Sequence, residues 1–208
     1  MREFILRSRK GPTTADFSLA TASPHRHLEV VAHCIVNALF CADGIRAGVV
    51  FRLVLEGPAA PPRTIRLESD GLGSLPGLDE RSVWAVLRQA LAAGRELCLG
   101  EECEAAPGVW VAKASFEGLV RQRSQRPGLF CLRPDGDDIR AVDLGDDPCF
   151  VLTDHLAMPR HAAGFLRRLG ARPLSVGPRM LFASQCIAVV HNELDRRAGP
   201  FAAAAPAG

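Results

Sequence analysis

Lysine is almost missing from this sequence: Lys10 and Lys113 are the only lysines among 25 basic residues, and the rest are arginine. An excess of either charge is missing too, because 23 acidic residues leave a formal net charge of +2. That balance excludes a polycationic tail, while the planar guanidinium fork keeps phosphate recognition open. No apolar run reaches the roughly 18 residues of a membrane helix, and MREFILRSRK breaks into charge too early for a secretory signal. The seven cysteines contain no CxxC pair and are odd in number, in a chain large enough to bury its own core. The expectation is a reduced, cytoplasmic protein with no membrane segment and no metal. Cys98 with Cys103, or His25 with His27, could touch an ion, but the remaining ligands are missing at the usual spacings. GxGxxG, GxxxxGK[ST], GxSxG and HExxH are all absent, which argues against dinucleotide oxidoreductases, P-loop NTPases and α/β-hydrolases.

What is present suits one α/β domain: 208 residues, 48% of them hydrophobic, with glycine and proline punctuating short segments. Phe4–Arg7 predicts a strand. Leu28, Val31, Ile35 and Leu39 recur at helical spacing over 27–40. Strands are expected over 49–55 and 64–67, and a helix runs from about Asp79 to a stop at Gly94. Residues 95–107 read as an exposed connection, followed by an extended 110–112 and a helix from Phe116 to the arginines of VRQRSQRP. GLFCLRPDGDD reads as a strand with a polar turn, and PCFVLTDH as an apolar strand with a polar end. A helix over 159–169 closes at Gly170, RPLSVGP is a strand entering a loop, and ASQCIAVVHNELDRR is a helix with Ser184 as a possible cap. Strand, polar loop and helix in alternation predict a mostly parallel sheet flanked by helices. Residues 1–197 form the expected single domain, and 198–208 an Ala/Pro tail with nothing to bury.

In open α/β sheets ligands bind outside the carboxyl ends of strands, and here those ends are 132–135, 153–156 and 174–181. The last of these, LSVGPRMLFASQCIAVVHNELD, together with FVLTDH and MREFIL, resembles the archaeal tRNA pseudouridine N1-methyltransferase family of the SPOUT class. The similarity continues through DGIRAGVVF, DERSVWAVLRQAL and AAPGVWVAKASFEGLV, in family order from Met1 to about Arg197. The resemblance implies a C-terminal trefoil knot, a homodimer formed through the knot region, and S-adenosylmethionine in the cleft of the knot loops. It places cofactor contacts at Leu132, Thr153, Leu174, Ser175, Val176, Gly177, Pro178, Arg179 and Cys186. The chain departs from the family pattern at several positions. Thr153 stands where glycine is usual, Gly177 and Arg179 replace serine and leucine, His27 replaces arginine, and Glu29 replaces aspartate.

Methylation of pseudouridine at N1 requires alignment of that nitrogen with a sulfonium methyl and loss of its proton. Asp154 is the first candidate acceptor, with His155 beside it; the alternative is that Asp154 only organises its loop. Glu29 could reach substrate, or merely complement a helix N-terminus. Arg2, Arg46, Arg121 and Arg123 are candidate RNA contacts, against the alternatives of surface pairing and a solvated charge run. His191 and Asn192 read as packing and dimer-interface groups. The expected function is RNA methylation, on the T-loop of tRNA; another RNA target and a non-catalytic binding homologue are the alternatives.

Overall fold

The computed structural model describes residues 1–18, 27–73 and 75–199. In chain order the elements begin with β1 (Arg2–Ser8), α1 (Leu28–Leu39), a small hairpin of β2 (Phe40–Cys41) and β3 (Gly44–Ile45), β4 (Val49–Leu55) and β5 (Arg63–Glu68). Then come α2 (Glu80–Ala93), β6 (Glu102–Ala106), β7 (Val109–Ala112), α3 (Phe116–Arg123) and β8 (Leu129–Asp138). The chain continues through a 3-10 turn (Ile139–Ala141), β9 (Cys149–Thr153), α4 (Arg160–Arg168), β10 (Arg172–Ser175) and α5 (Ala183–Ala198).

Eight strands make one sheet in the order β10-β8-β9-β1-β4-β5-β7-β6. The first five are parallel, and β5, β7 and β6 add an antiparallel wing. Strands buried on both faces lose the polar alternation of a half-exposed strand, and β1 shows this: Phe4 and Leu6 enter one core, Ile5 the other. Helices α1, α2 and α5 cover the first face through residues such as Ile35, Trp84 and Ile187. On the second face Phe116 of α3 and Leu166 of α4 supply the cover. The ring of Phe150 lies 5.5 Å from Phe4 and 5.7 Å from Phe130, an aromatic row across three parallel strands. Trp84 donates its indole N–H to the Leu28 carbonyl (3.0 Å), tying α2 to the first turn of α1.

Three expectations are corrected. The connection 95–107 contains β6, whose sequence ECEAA alternates only through small residues and has no β-branched or aromatic side chain to mark a strand. The polar residues after Leu132 do not leave the sheet: β8 continues to Asp138, with a register break that pairs Cys131 with Pro173 and then Asp137 with Leu174. Gly136 permits that close passage, since a Cβ there would collide with the backbone of Pro173 and Leu174. Ser184 does not cap α5; the cap position is Phe182, whose backbone N–H donates to Gln185 Oε1 at 3.0 Å. Helix α5 extends to Ala198, and the expected tail lies outside the described residues from 200 onward.

Candidate active site at the strand ends

Parallel strands place their carboxyl ends together, so Ser8 of β1, Thr153–His155 after β9 and Ser175–Arg179 after β10 gather at one end of the sheet. Helix α1 enters from the same end, bringing His27 and Glu29. The centre of the cluster is Asp154, whose side chain is fully buried. Its Oδ2 accepts from Ser8 Oγ at 2.6 Å and its Oδ1 from the Leu156 N–H at 3.1 Å. The Asp154 N–H donates in turn to the Arg7 carbonyl at 3.3 Å. Both carboxylate oxygens are therefore used in joining β1 to the loop after β9, the loop-organising role foreseen as the alternative.

His155 is placed differently. Its Nδ1 stands 3.5 Å from Asp154 Oδ1, too long for a good hydrogen bond, and neither ring nitrogen has a hydrogen-bond partner. Burial pushes the imidazole below its ordinary pKa; Asp154 and Glu29 pull it up, while His27 and Lys10 push it further down. A neutral ring backed by a fixed carboxylate results. His27 packs on His155 with ring centroids 4.3 Å apart, and its Nδ1 pairs with Glu29 Oε1 at 3.0 Å. His27 occupies the cap position of α1 with φ 50°, ψ 50°, a left-handed conformation that costs a non-glycine residue on the order of 1 kcal/mol.

The cofactor candidates lie around this cluster. Leu132 is half-buried on β8, and Leu174 and Ser175 are buried on β10. Thr153 follows Val151 and faces the α3–α4 side, whereas Asp154 follows Leu152 toward α1. Val176 and Gly177 are half-buried in the loop, while Pro178 and Arg179 are exposed. The loop is closed by Ser175 Oγ, which donates to the Gly177 carbonyl (3.1 Å) and accepts from its N–H (3.3 Å). Gly177 has φ 143°, and a Cβ built there would meet nothing within 4 Å, so the loop borders open space. Cys186 sits half-buried in the first turn of α5; Asp154 and Cys186 both lie near enough to Cys34 to raise its thiol pKa further, after burial. Apolar walls and a backbone-lined loop beside open space suit an adenosyl group.

The candidate RNA arginines do not join this end. Arg2 and Arg46 meet on Asp195 of α5 (2.6 and 3.0 Å), at the amino ends of β1 and β4, about 20 Å of strand away. Arg123 is corrected outright: its side chain is 1% exposed and donates to Glu3 Oε2 at 2.8 Å and to the carbonyls of Arg126, Pro127 and Asp147. Nothing of it is left for phosphate. Arg121 is exposed on α3, with its guanidinium 5.6 Å from the Phe165 ring. His191 is a packing residue, 5.0 Å from the Phe4 ring, and Asn192 is exposed. Among the described residues no three His, Cys, Asp or Glu side chains gather as a metal site, and no helix is long and apolar enough to cross a membrane. His25 lies outside the described residues. Ser8 and Lys10 were missed by sequence reading; the signal was available, since FILRSRK is itself a strand end in a parallel sheet.

Comparison with known proteins places this geometry. Residues 1–198 match the family model described as "Putative SAM-dependent RNA methyltransferase". Proteins named "Putative pseudouridine methyltransferase" from Vibrio cholerae and Shewanella frigidimarina are 39% and 36% identical to the chain over 197 residues each. Each alignment covers 95% of this chain, and 98% and 100% of the respective relative. The crystal structure of Archaeoglobus fulgidus Nep1 bound to S-adenosylhomocysteine superposes with TM-score 0.60 at 14% identity, covering 95% of this chain and 98% of that one. The fold is thus shared with that structure, and it is the mostly parallel sheet flanked by helices that the sequence leads one to expect. Agreement over residues 1–198 makes the chain a member of this S-adenosylmethionine-dependent RNA methyltransferase family, alongside the bacterial relatives so named.

Proposed function

We propose that the protein methylates N1 of pseudouridine in the T-loop of tRNA, in the cytoplasm, as a homodimer whose C-terminal segment forms a trefoil knot. The observation that carries this reading is the convergence of His27, Asp154, His155 and the 174–179 loop at the carboxyl end of the parallel strands. Residues 174–179, with Leu132, Thr153 and Cys186, would hold S-adenosylmethionine, which when bound supplies an electrophilic methyl on sulfur. The protein has two tasks: to hold N1 in line with that methyl and to receive the N1 proton. His155 receives the proton; burial keeps it neutral near pH 7, and Asp154 stabilises the cation that forms. Asp154 is then a positioning residue, fixed by Ser8 and Leu156. Water access is limited by the His27 ring, packed at a tilt against His155. Support for a dimer comes from Met180 and Phe182, 81% and 72% exposed beside the cofactor loop.

A second reading, methylation of a pyrimidine in another RNA, is favoured by His27–Glu29, an exposed pair where the archaeal proteins carry arginine and aspartate. Mass analysis of tRNA and rRNA nucleosides from a deletion strain separates the two. Loss of N1-methylpseudouridine from tRNA is expected; loss of a different methylated nucleoside would select the second reading. Within the site, Asp154→Asn and His155→Gln should each lower turnover by about 10²-fold or more with cofactor binding retained. Wild-type turnover by His155→Gln would remove it as proton acceptor.

A further inference from the structure

We propose that the outer face of α4, with the adjoining edge of β8 and β10, binds the sugar–phosphate backbone of the substrate RNA. This rests on the reading of the chain as an RNA methyltransferase and adds where the RNA lies. The near-neutral net charge conceals the surface, because many arginines are already neutralised. Arg2 and Arg46 share Asp195, Arg52 and Arg123 share Glu3, Arg7 takes Glu56, Arg66 takes Glu68 and Glu102, and Arg197 takes Glu193. Arg121, Arg160, Arg167, Arg168 and Arg172 are different: all five are exposed, and among the described residues none is in an ion pair. They stand together. The guanidinium groups of Arg121 and Arg168 lie 5.6 and 6.0 Å from the Phe165 ring, and that of Arg172 lies 5.8 Å from Phe130.

Between α4 and the sheet edge runs an open groove of about 380 Å³, lined by Arg133, Arg160 and Arg167 with Cys131, Gly164 and Pro173 among its walls. Asp135 is the one carboxylate in that lining, and Arg133 holds it bidentately at 2.8 and 2.8 Å. Arg160 and Arg167 are left facing the groove with uncompensated charge, in the forked geometry that suits phosphate oxygens. Gly164 is a second, independent sign. Glycine inside a helix costs about 1 kcal/mol relative to alanine, yet a Cβ here would meet only Arg168 Nη1, at 3.7 Å. No packing within the chain requires glycine, so the bare backbone leaves room for something from outside.

Placement completes the case. Helix α4 begins six residues after Asp154, at the catalytic end of the sheet, and its nine residues run back along the sheet for about 13 Å. That is the axial length of roughly four to five nucleotides of a helical strand. A strand lying on α4 would lead its next nucleotide into the site.

The test measures binding of a fluorescein-labelled T-arm hairpin RNA across a potassium chloride series, for the wild type, Arg160→Gln/Arg167→Gln/Arg168→Gln, and Arg81→Gln/Arg88→Gln on the opposite face. Calorimetry with S-adenosylmethionine runs alongside on each. The triple variant is expected to bind RNA at least about tenfold more weakly, with a log–log salt slope shallower by about 2, and to bind cofactor as the wild type does. The α2 variant should keep the wild-type slope. Unchanged affinity and slope in the triple variant, with the wild type binding, would overturn this surface and leave the enzymatic reading standing. Failure of the wild type to bind the hairpin would overturn both the surface and the tRNA assignment.

Discussion

Glu3 and Arg123 illustrate what a residue's neighbours can conceal from its sequence. VRQRSQRP reads as a solvated basic run, yet Arg123 turns inward because Glu3, buried on β1, needs its charge matched. The pair spans 120 positions, and no local pattern announces it. His191 makes the same point about titration. Arg2 donates to its Nδ1 (3.0 Å), so Nε2 carries the proton and donates to the Ala38 carbonyl (3.0 Å). Burial foremost, then Arg46 and Arg2, depress its pKa to about 4. The unfolded chain binds this proton near pH 6.5 and the folded chain only near 4, so stability rises with pH across that window. Denaturant unfolding should show a gain of up to about 3 kcal/mol between pH 4 and 6.5. His191→Asn should flatten that rise; an unaltered slope would mean that another group carries it.

At the scale of elements, apolar periodicity located every helix to within about a residue or two, because α1 to α5 each bury one stripe. Asp79 was legible as a start, and it accepts from the Ser82 amide at 3.1 Å; Ser115, not singled out in the sequence, accepts likewise from the Gly118 amide at 3.1 Å. Strand ends were legible as well, and with them the candidate site. Edges were not. Strand β6 lies outermost and carries only small apolar residues beside its glutamates, and the passage of 132–136 beside β10 depends on backbone pairing that side chains do not encode. The functional face of α4 was missed because its arginines, spread over 160–172, form no run. Gly164→Ala tests that helix directly. Its alanine should stabilise the fold by about 0.5–1 kcal/mol in thermal or urea unfolding, while weakening RNA binding through lost clearance. A variant both less stable and normal in RNA affinity would show that the glycine serves internal packing.

For the whole molecule, net charge turned out to describe little: many arginines are cancelled locally by a carboxylate, and five uncompensated ones stand on and around α4. Among the exposed large apolar side chains, Met180 and Phe182 lie close in sequence, next to the 174–179 loop. Such a pair beside a ligand loop fits an interface in which each copy borders the other's site. If the proposed dimer forms here, Phe182→Asp should convert it to a monomer in sedimentation velocity and reduce cofactor affinity together. Dimers of undiminished stability would place the interface elsewhere.

The position of β1 has a consequence during synthesis. Residues 2–8 form the middle of the parallel sheet, with β4 on one edge and β9 on the other. A ribosome-bound chain can pair the first edge once residue 55 has emerged, but the second waits for 149–153. Through most of translation Phe4, Ile5 and Leu6 therefore border an open, apolar ladder, the kind of edge that recruits other nascent chains. Fragments ending before Cys149 should aggregate, and chaperone demand should fall sharply as β9 clears the exit tunnel.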